Sequence, residues 1–218
     1  MKKLALFTVL ALLLTGCKGN VTTENKPKPS ASVIPIESSS PTDDPLPDWT
    51  LDEKIYQMLF VTPESITGVD QVIIAGDTTR EALEKYPVGG IIYFASNLID
   101  PEQTREMIQN SQSYSKTPLF IGVDEEGGIV TRISQNESFG VKKIPSMQDI
   151  GATGDTDEAY EVALDCGTIL NDLGFNVNFA PDADVFDEEA SNDIGSRSFA
   201  SEPDTVGEFV NSYISGLN

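Results

Sequence analysis

No histidine occurs anywhere in the 218 residues. That absence excludes a Ser-His-Asp triad, a Cys-His nucleophile pair and any histidine-ligated zinc site within this sequence. Cysteine is scarce too. Cys17 and Cys166 are the two present, and Cys17 sits at the end of an apolar leader, so the domain beyond it has no pair for an internal disulfide. Basic residues are few: 14 Lys and Arg against 35 Asp and Glu give a net charge of -21. A surface of that sign repels phosphates, so nucleic acid is not an expected partner. No GxGxxG or GxxxxGK[ST] follows a strand-like run, and no cofactor is expected.

One long apolar run is present, Leu4 to Leu14, behind Lys2-Lys3. It falls short of the about 20 residues that a transmembrane helix needs, and it has the build of an export signal. Its end, Leu14-Thr15-Gly16-Cys17, resembles the bacterial lipobox. By that resemblance Cys17 becomes the first residue of the mature protein and carries lipid. The protein is then exported and anchored to the outer side of the cell membrane. Residues 18–48 are rich in Pro, Ser and Thr with few large apolar side chains. Such a stretch cannot offset its ordering entropy by burial and reads as an extended spacer. Residues 1–17 are thus a leader, 18–48 a linker and 49–218 a folded domain.

Within the domain, strand-like and helix-like stretches alternate. Thr50-Leu51-Asp52-Glu53 is a capping box, predicting a helix that leads into the apolar Met58-Leu59-Phe60-Val61. A second helix is predicted from Thr79, halted by Pro87. Asp100-Pro101 supplies an N-cap and a first-turn proline for a helix to about Ser113. A longer helix carries Val162, Cys166, Ile169, Leu170 and Leu173 on one face and ends at Gly174. Cys166 on that face reads as a buried, inert thiol. The last helix follows Pro203, with Val206, Phe209, Val210, Tyr213, Ile214 and Leu217 expected inward. Between the helices lie strand-like VGGIIYF (88–94), PLFIGV (118–123) and FNVNFAP (175–181), the first two apolar on both faces.

Alternation of this kind predicts a parallel sheet covered by helices, either a doubly wound open sheet or a (β/α)8 barrel. Polar clusters close the strands: Ala95-Ser96-Asn97, Asp124-Glu125-Glu126 and Asp182-Ala183-Asp184. In a barrel such ends share one face, where sites are built. About four strand-helix units fit between Trp49 and Asn218, whereas a barrel has eight and typically about 250 residues. The expectation is an α/β TIM-type barrel of which this sequence carries about the first half. The acidic run from Asp182 to Glu189 lacks the Gly and spacing of an EF-hand loop and reads as a solvated rim. No metal site is expected.

GVDEEGGIVTRI, 122–133, is similar to the GVDxEGGxVxR segment of glycoside hydrolase family 3, in its β-N-acetylhexosaminidase branch. Three other stretches resemble that family in the same order. LDEKIYQMLFV resembles its opening helix and strand, and VGGIIYF with Asn97 its second strand. NVNFAPDADV with IGSRSFA (194–200) resembles its fourth strand and a G-x-R-[SA]-F loop. The resemblance implies that Asp124 grips hydroxyls of the non-reducing sugar and that Arg132 and Arg197 line the same pocket. Those residue types suit the task, since a carboxylate accepts two hydroxyl hydrogens and arginine forks return matching donors. Gly127-Gly128 would let the backbone turn and approach the ligand. Glu125 and Glu126 cannot be a catalytic pair, because neighbours on an extended segment point to opposite sides. Glu126 is expected to hold local structure, with Glu125 the less constrained. Ile129 stands where the family often has a second basic residue.

The family mechanism is retaining, with an aspartate nucleophile and, in this branch, a histidine acid/base on a loop. Neither is expected among these residues. The full-length parent is expected to remove terminal β-linked N-acetylhexosamine from cell-wall glycans, while this chain alone should be inactive. A family 3 β-glucosidase and a non-catalytic sugar-binding lipoprotein are the alternatives.

Overall fold

The computed structural model describes residues 48–187 and 194–218. Apart from Asp48, the leader, Cys17 and the spacer lie outside the described residues, as do Glu188 and Glu189 of the acidic run. Four strands form one sheet in the order β1-β2-β3-β4, with every pairing parallel. They are β1 (Phe60–Val61), β2 (Gly90–Ile92), β3 (Phe120–Val123) and β4 (Val177–Asn178). Each strand pairs with its predecessor in sequence. A doubly wound sheet reverses its strand order partway, so this steady progression is the course taken by the strands of a barrel.

Among the described residues, seven α-helices precede, connect and follow the strands: α1 (Leu51–Tyr56), α2 (Pro63–Thr67), α3 (Asp77–Lys85), α4 (Pro101–Tyr114), α5 (Met147–Ala152), α6 (Thr156–Leu173) and α7 (Pro203–Leu217). The capping box forms as expected: Thr50 Oγ1 accepts the Glu53 N–H at 3.2 Å, and Glu53 Oε2 accepts the Thr50 N–H at 2.9 Å. Asp100 caps α4 through the Gln103 N–H at 2.9 Å. Gly174 ends α6 in the left-handed region at φ 99°. The second helix starts at Asp77 rather than Thr79. Thr79 is instead buried inside it, and Gly76 is the capping position.

One sheet face carries Ile91, Ile121 and Val123, none of which retains solvent exposure. They pack with Met107 and Ile108 of α4 and Leu170 and Leu173 of α6. Full burial of each such aliphatic side chain contributes roughly 1.5–3 kcal/mol. A second cluster lies beside it, where Phe199 stacks on Phe209 at 5.3 Å and meets Tyr213 at 6.3 Å. Of the residues expected inward on α7, Val206, Phe209 and Tyr213 are buried, but Ile214 is 44% exposed. On α6, Cys166, Leu170 and Leu173 are buried, while Val162 and Ile169 are partly so.

Burial on the second face of β2 and β3 is less complete than expected: Gly90 and Gly122 are buried, but Ile92 only partly and Phe120 hardly at all. Away from the helices, Phe60, Phe120 and Phe179 form an aromatic group, Phe60 lying 6.1 Å from Phe120 and 5.3 Å from Phe179. Phe120 keeps 57% of its surface exposed. The rings rest over Gly90 and Gly122, where a Cβ would come within 2.6 Å of Phe60 and 2.7 Å of Phe179 respectively. The apolar pattern in the sequence was real; on this face it is bulky rings set over glycines.

Candidate functional site

Because all four strands are parallel, their carboxyl ends emerge at one rim. Asp124 follows directly on β3. Its Oδ2 accepts a hydrogen bond from Arg132 NH2 at 2.9 Å, and the two side chains remain 22% and 19% exposed. The Arg132 guanidinium also lies 5.5 Å over the ring of Phe94, just past β2, and donates to the Thr131 carbonyl at 3.1 Å. An acid, a planar cation and a half-exposed aromatic therefore stand together at the ends of two adjacent strands. This set can accept hydroxyl hydrogens, donate to ring or carbonyl oxygens, and offer an apolar face.

Arg197 pairs with other acids. Its Nε and NH2 donate to the two oxygens of Glu126 at 2.8 and 2.9 Å, and NH2 also reaches Asp182 Oδ2 at 3.0 Å. The Glu126 and Asp182 side chains are only 7% and 5% exposed. The hydrogen bonds that the guanidinium donates to Glu126 push its proton affinity up, partial burial opposes this, and the Glu126, Asp182 and Asp184 charges reinforce it. Glu126 thus holds local structure, as expected. Asp184 is exposed as a solvated rim requires, but the Asp182 side chain is not: it shares the Arg197 cation with Glu126, and its Oδ1 also accepts the Asp184 N–H at 2.8 Å.

Glu125 is the most tightly held of the three acids, contrary to expectation. It is 1% exposed. Its Oε2 accepts the N–H groups of Arg132 at 2.6 Å and Ile133 at 2.8 Å, and its Oε1 accepts Ser134 N–H at 2.9 Å. The Asn178 side chain of β4 grips its main chain from both sides, accepting from Glu125 N and donating to Glu125 O, each at 3.0 Å. Past Asp124 the chain leaves strand geometry, so one acid turns inward, where three peptide N–H groups would otherwise be buried without acceptors.

The reversal that brings residues 132–134 back onto Glu125 is made by Gly127 and Gly128, with φ 109° and 55°. Glu126 N and Gly127 N donate to the Val130 carbonyl at 2.9 and 3.2 Å, and Val130 N returns a bond to Gly127 O at 3.1 Å. A Cβ on Gly127 would stand 2.3 Å from the Pro145 carbonyl oxygen, and one on Gly128 would stand 2.9 Å from Ser146 Cβ. The close approach these glycines permit is to the protein's own segment ahead of α5. Ile129 projects from the turn, 72% exposed.

Asn97 is fully buried. It accepts the Phe94 N–H at 2.8 Å and donates to the Val72 carbonyl at 2.9 Å and to Glu64. It shapes the turn that carries Phe94. Cys166 lies under the site with its Sγ 3.8 Å from the Glu125 carbonyl, 2% exposed. Burial, with the Glu125 charge added, raises its thiol to about 12, which suits an inert core residue. Sequence reading passed over Phe94, Glu125 and Asn178 as parts of the site. A signal for Asn178 existed: Asn176 and Asn178 recur at period two in an apolar strand, a spacing that sets both amides on one side of it. Asn176 bonds Ile121 N at 2.7 Å and Leu119 O at 3.0 Å.

Residues 50–218 match the Glycosyl hydrolase family 3 N terminal domain. The chain is 29% identical over 165 residues to a Beta-hexosaminidase of Idiomarina loihiensis, covering 74% of this chain and 46% of that protein. It is 38% identical over 135 residues to Beta-hexosaminidase A of Pseudoalteromonas piscicida, covering 58% of this chain and 22% of that one. A solved glycoside hydrolase family 3 beta-N-acetylglucosaminidase from Paenibacillus sp. superposes with a TM-score of 0.69 at 32% identity, over 78% of this chain and 31% of that structure. The sheet and its polar rim are those of a TIM-type barrel glycosidase domain, present here as four consecutive strands. The chain belongs to glycoside hydrolase family 3. It spans less than half the length of these relatives.

Proposed function

We propose that this chain is the sugar-gripping part of a β-N-acetylhexosaminidase that releases terminal non-reducing N-acetylhexosamine from cell-wall-type glycans with retention of configuration. The observation that carries the reading is the Asp124–Arg132 pair at 2.9 Å on the strand-end rim. It lies within the residues that match the family, and it is supported by relatives named as beta-hexosaminidases. Asp124 accepts sugar hydroxyls, and Arg132, braced by Phe94, donates to sugar oxygens. The acid/base is not a histidine of these residues, since there is none. Cys17 carries lipid in this reading and holds the domain on the outer side of a bacterial membrane.

The test uses protein produced in cells from its complete coding sequence. Hydrolysis of 4-nitrophenyl N-acetyl-β-D-glucosaminide should exceed that of the matching β-D-glucoside by at least tenfold in kcat/KM. Equal rates, or preference for the glucoside, would overturn the sugar assignment. In detergent partitioning of the same preparation, the protein should enter the detergent phase and Cys17→Ala the aqueous phase. Retention of Cys17→Ala in detergent would overturn the lipid anchor.

A further inference from the structure

We propose that Glu125 is a positioning residue for sugar binding, acting through Arg132, with Asn178 of β4 as its anchor. The inference rests on the functional reading above and deepens it. Arg132 can face Asp124 only if its own backbone is fixed, and residues 128–134 lie outside regular strand or helix. One carboxylate fixes them. The Glu125 oxygens take the N–H groups of Arg132, Ile133 and Ser134 at 2.6, 2.8 and 2.9 Å. Glu125 cannot itself drift, because Asn178 holds its N–H and carbonyl from the neighbouring strand. A continuous path thus runs from β4 through Asn178 and Glu125 to Arg132 and ends on the Asp124 carboxylate. Each link is a hydrogen bond of 3.0 Å or less.

The chemistry asks for a carboxylate at this place. Three donors converge on two oxygens, and glutamate brings acceptors only. Glutamine has one acceptor oxygen, and its amide N–H2 would confront at least one peptide N–H. With the oxygen kept on the Arg132 and Ile133 N–H groups, that peptide is Ser134; the 132–134 turn loses one of its three ties, and the Arg132 guanidinium no longer has one direction. Glu125 itself is 1% exposed and is not a catalytic residue. Its effect belongs to how well the sugar is held, so it should fall mainly on KM.

The experiment is a double-substitution cycle in protein from the complete coding sequence, assayed on 4-nitrophenyl N-acetyl-β-D-glucosaminide. Glu125→Gln should lower kcat/KM about tenfold, chiefly through KM. In an Arg132→Ala background the same change should cost less than about twofold, because the group it positions is gone. Should Glu125→Gln not fold, Asn178→Ala loosens the anchor while keeping the carboxylate, and its loss should vanish in the Arg132→Ala background in the same way. Additive losses, or a fall confined to kcat, would overturn the positioning role. If the wild-type protein hydrolyses no N-acetylglucosaminide, the functional reading fails and takes the role with it. An active wild type with an additive cycle overturns the role of Glu125 alone.

Discussion

Replacing Arg197 with alanine should lower the unfolding free energy by about 3–5 kcal/mol. The size follows from what is left behind. Glu126 and Asp182 are 7% and 5% exposed at their side chains, and both are neutralised by the one guanidinium between them. Its removal leaves two nearly buried carboxylates facing each other across the vacated space. Water can reach the opening that Arg197 occupied, since that side chain is 30% exposed, which places the loss toward the lower end of the range. Arg197→Lys keeps the charge as a point but not the fork that bonds both Glu126 oxygens, so it should restore only part of the stability. Urea unfolding of the three proteins measures this directly. A loss below about 1 kcal/mol would show the cluster to be an ordinary surface ion pair.

Asp124→Ala should behave in the opposite manner, costing activity and little stability. Its carboxylate accepts one charge-assisted bond from Arg132 in the free protein and stays 22% exposed, so folding depends on it by at most about 1 kcal/mol. On the proposed reading, it accepts sugar hydroxyls in the complex. Loss of a hydrogen bond to a charged group costs about 1.5–3 kcal/mol. That is roughly a 10- to 150-fold fall in kcat/KM for an aryl N-acetylglucosaminide, in protein from the complete coding sequence. A change within about twofold, with folding intact, would remove Asp124 from the site. The two substitutions probe different ion pairs: Asp124 with Arg132 at the strand-end rim, and Arg197 with Glu126 and Asp182.

Much of the fold was legible because its signals are local. The Thr50–Glu53 box, the Asp100-Pro101 start and the Gly174 stop are each written in a few adjacent residues, and each forms. Helices α2 and α5 were missed although Thr62-Pro63 with Gly68, and Ser146, are capping signals. At 5 and 6 residues they are too short to show a 3.6-residue period. Strands came out shorter than the apolar runs that announced them: VGGIIYF yields the three residues of β2, because parallel pairing ends where the chain turns into the rim. Ile214 continued the apolar pattern of α7 yet stays 44% exposed, because it lies off the face that carries Val206, Phe209 and Tyr213.

For the site, Asp124 and Arg132 were legible from one motif, and the structure joins them. Glu125 was not. Its role depends on three peptide N–H groups that return to it only after the Gly127-Gly128 turn, and on Asn178 from a strand more than fifty residues away. A carboxylate that ends a strand looks the same in sequence whether water or backbone satisfies it. That Arg197 pairs with Glu126 and Asp182 was equally hidden, since it depends on which acids the folded loop presents to it.

The most direct test is a crystal structure of the protein soaked with N-acetylglucosamine. The sugar is expected on the strand-end rim, with hydroxyls within hydrogen-bond distance of the Asp124 carboxylate and an oxygen facing the Arg132 guanidinium beside Phe94. A sugar bound elsewhere on a saturated crystal, with Asp124 and Arg132 still paired and untouched, would contradict the assignment of this pair as the grip.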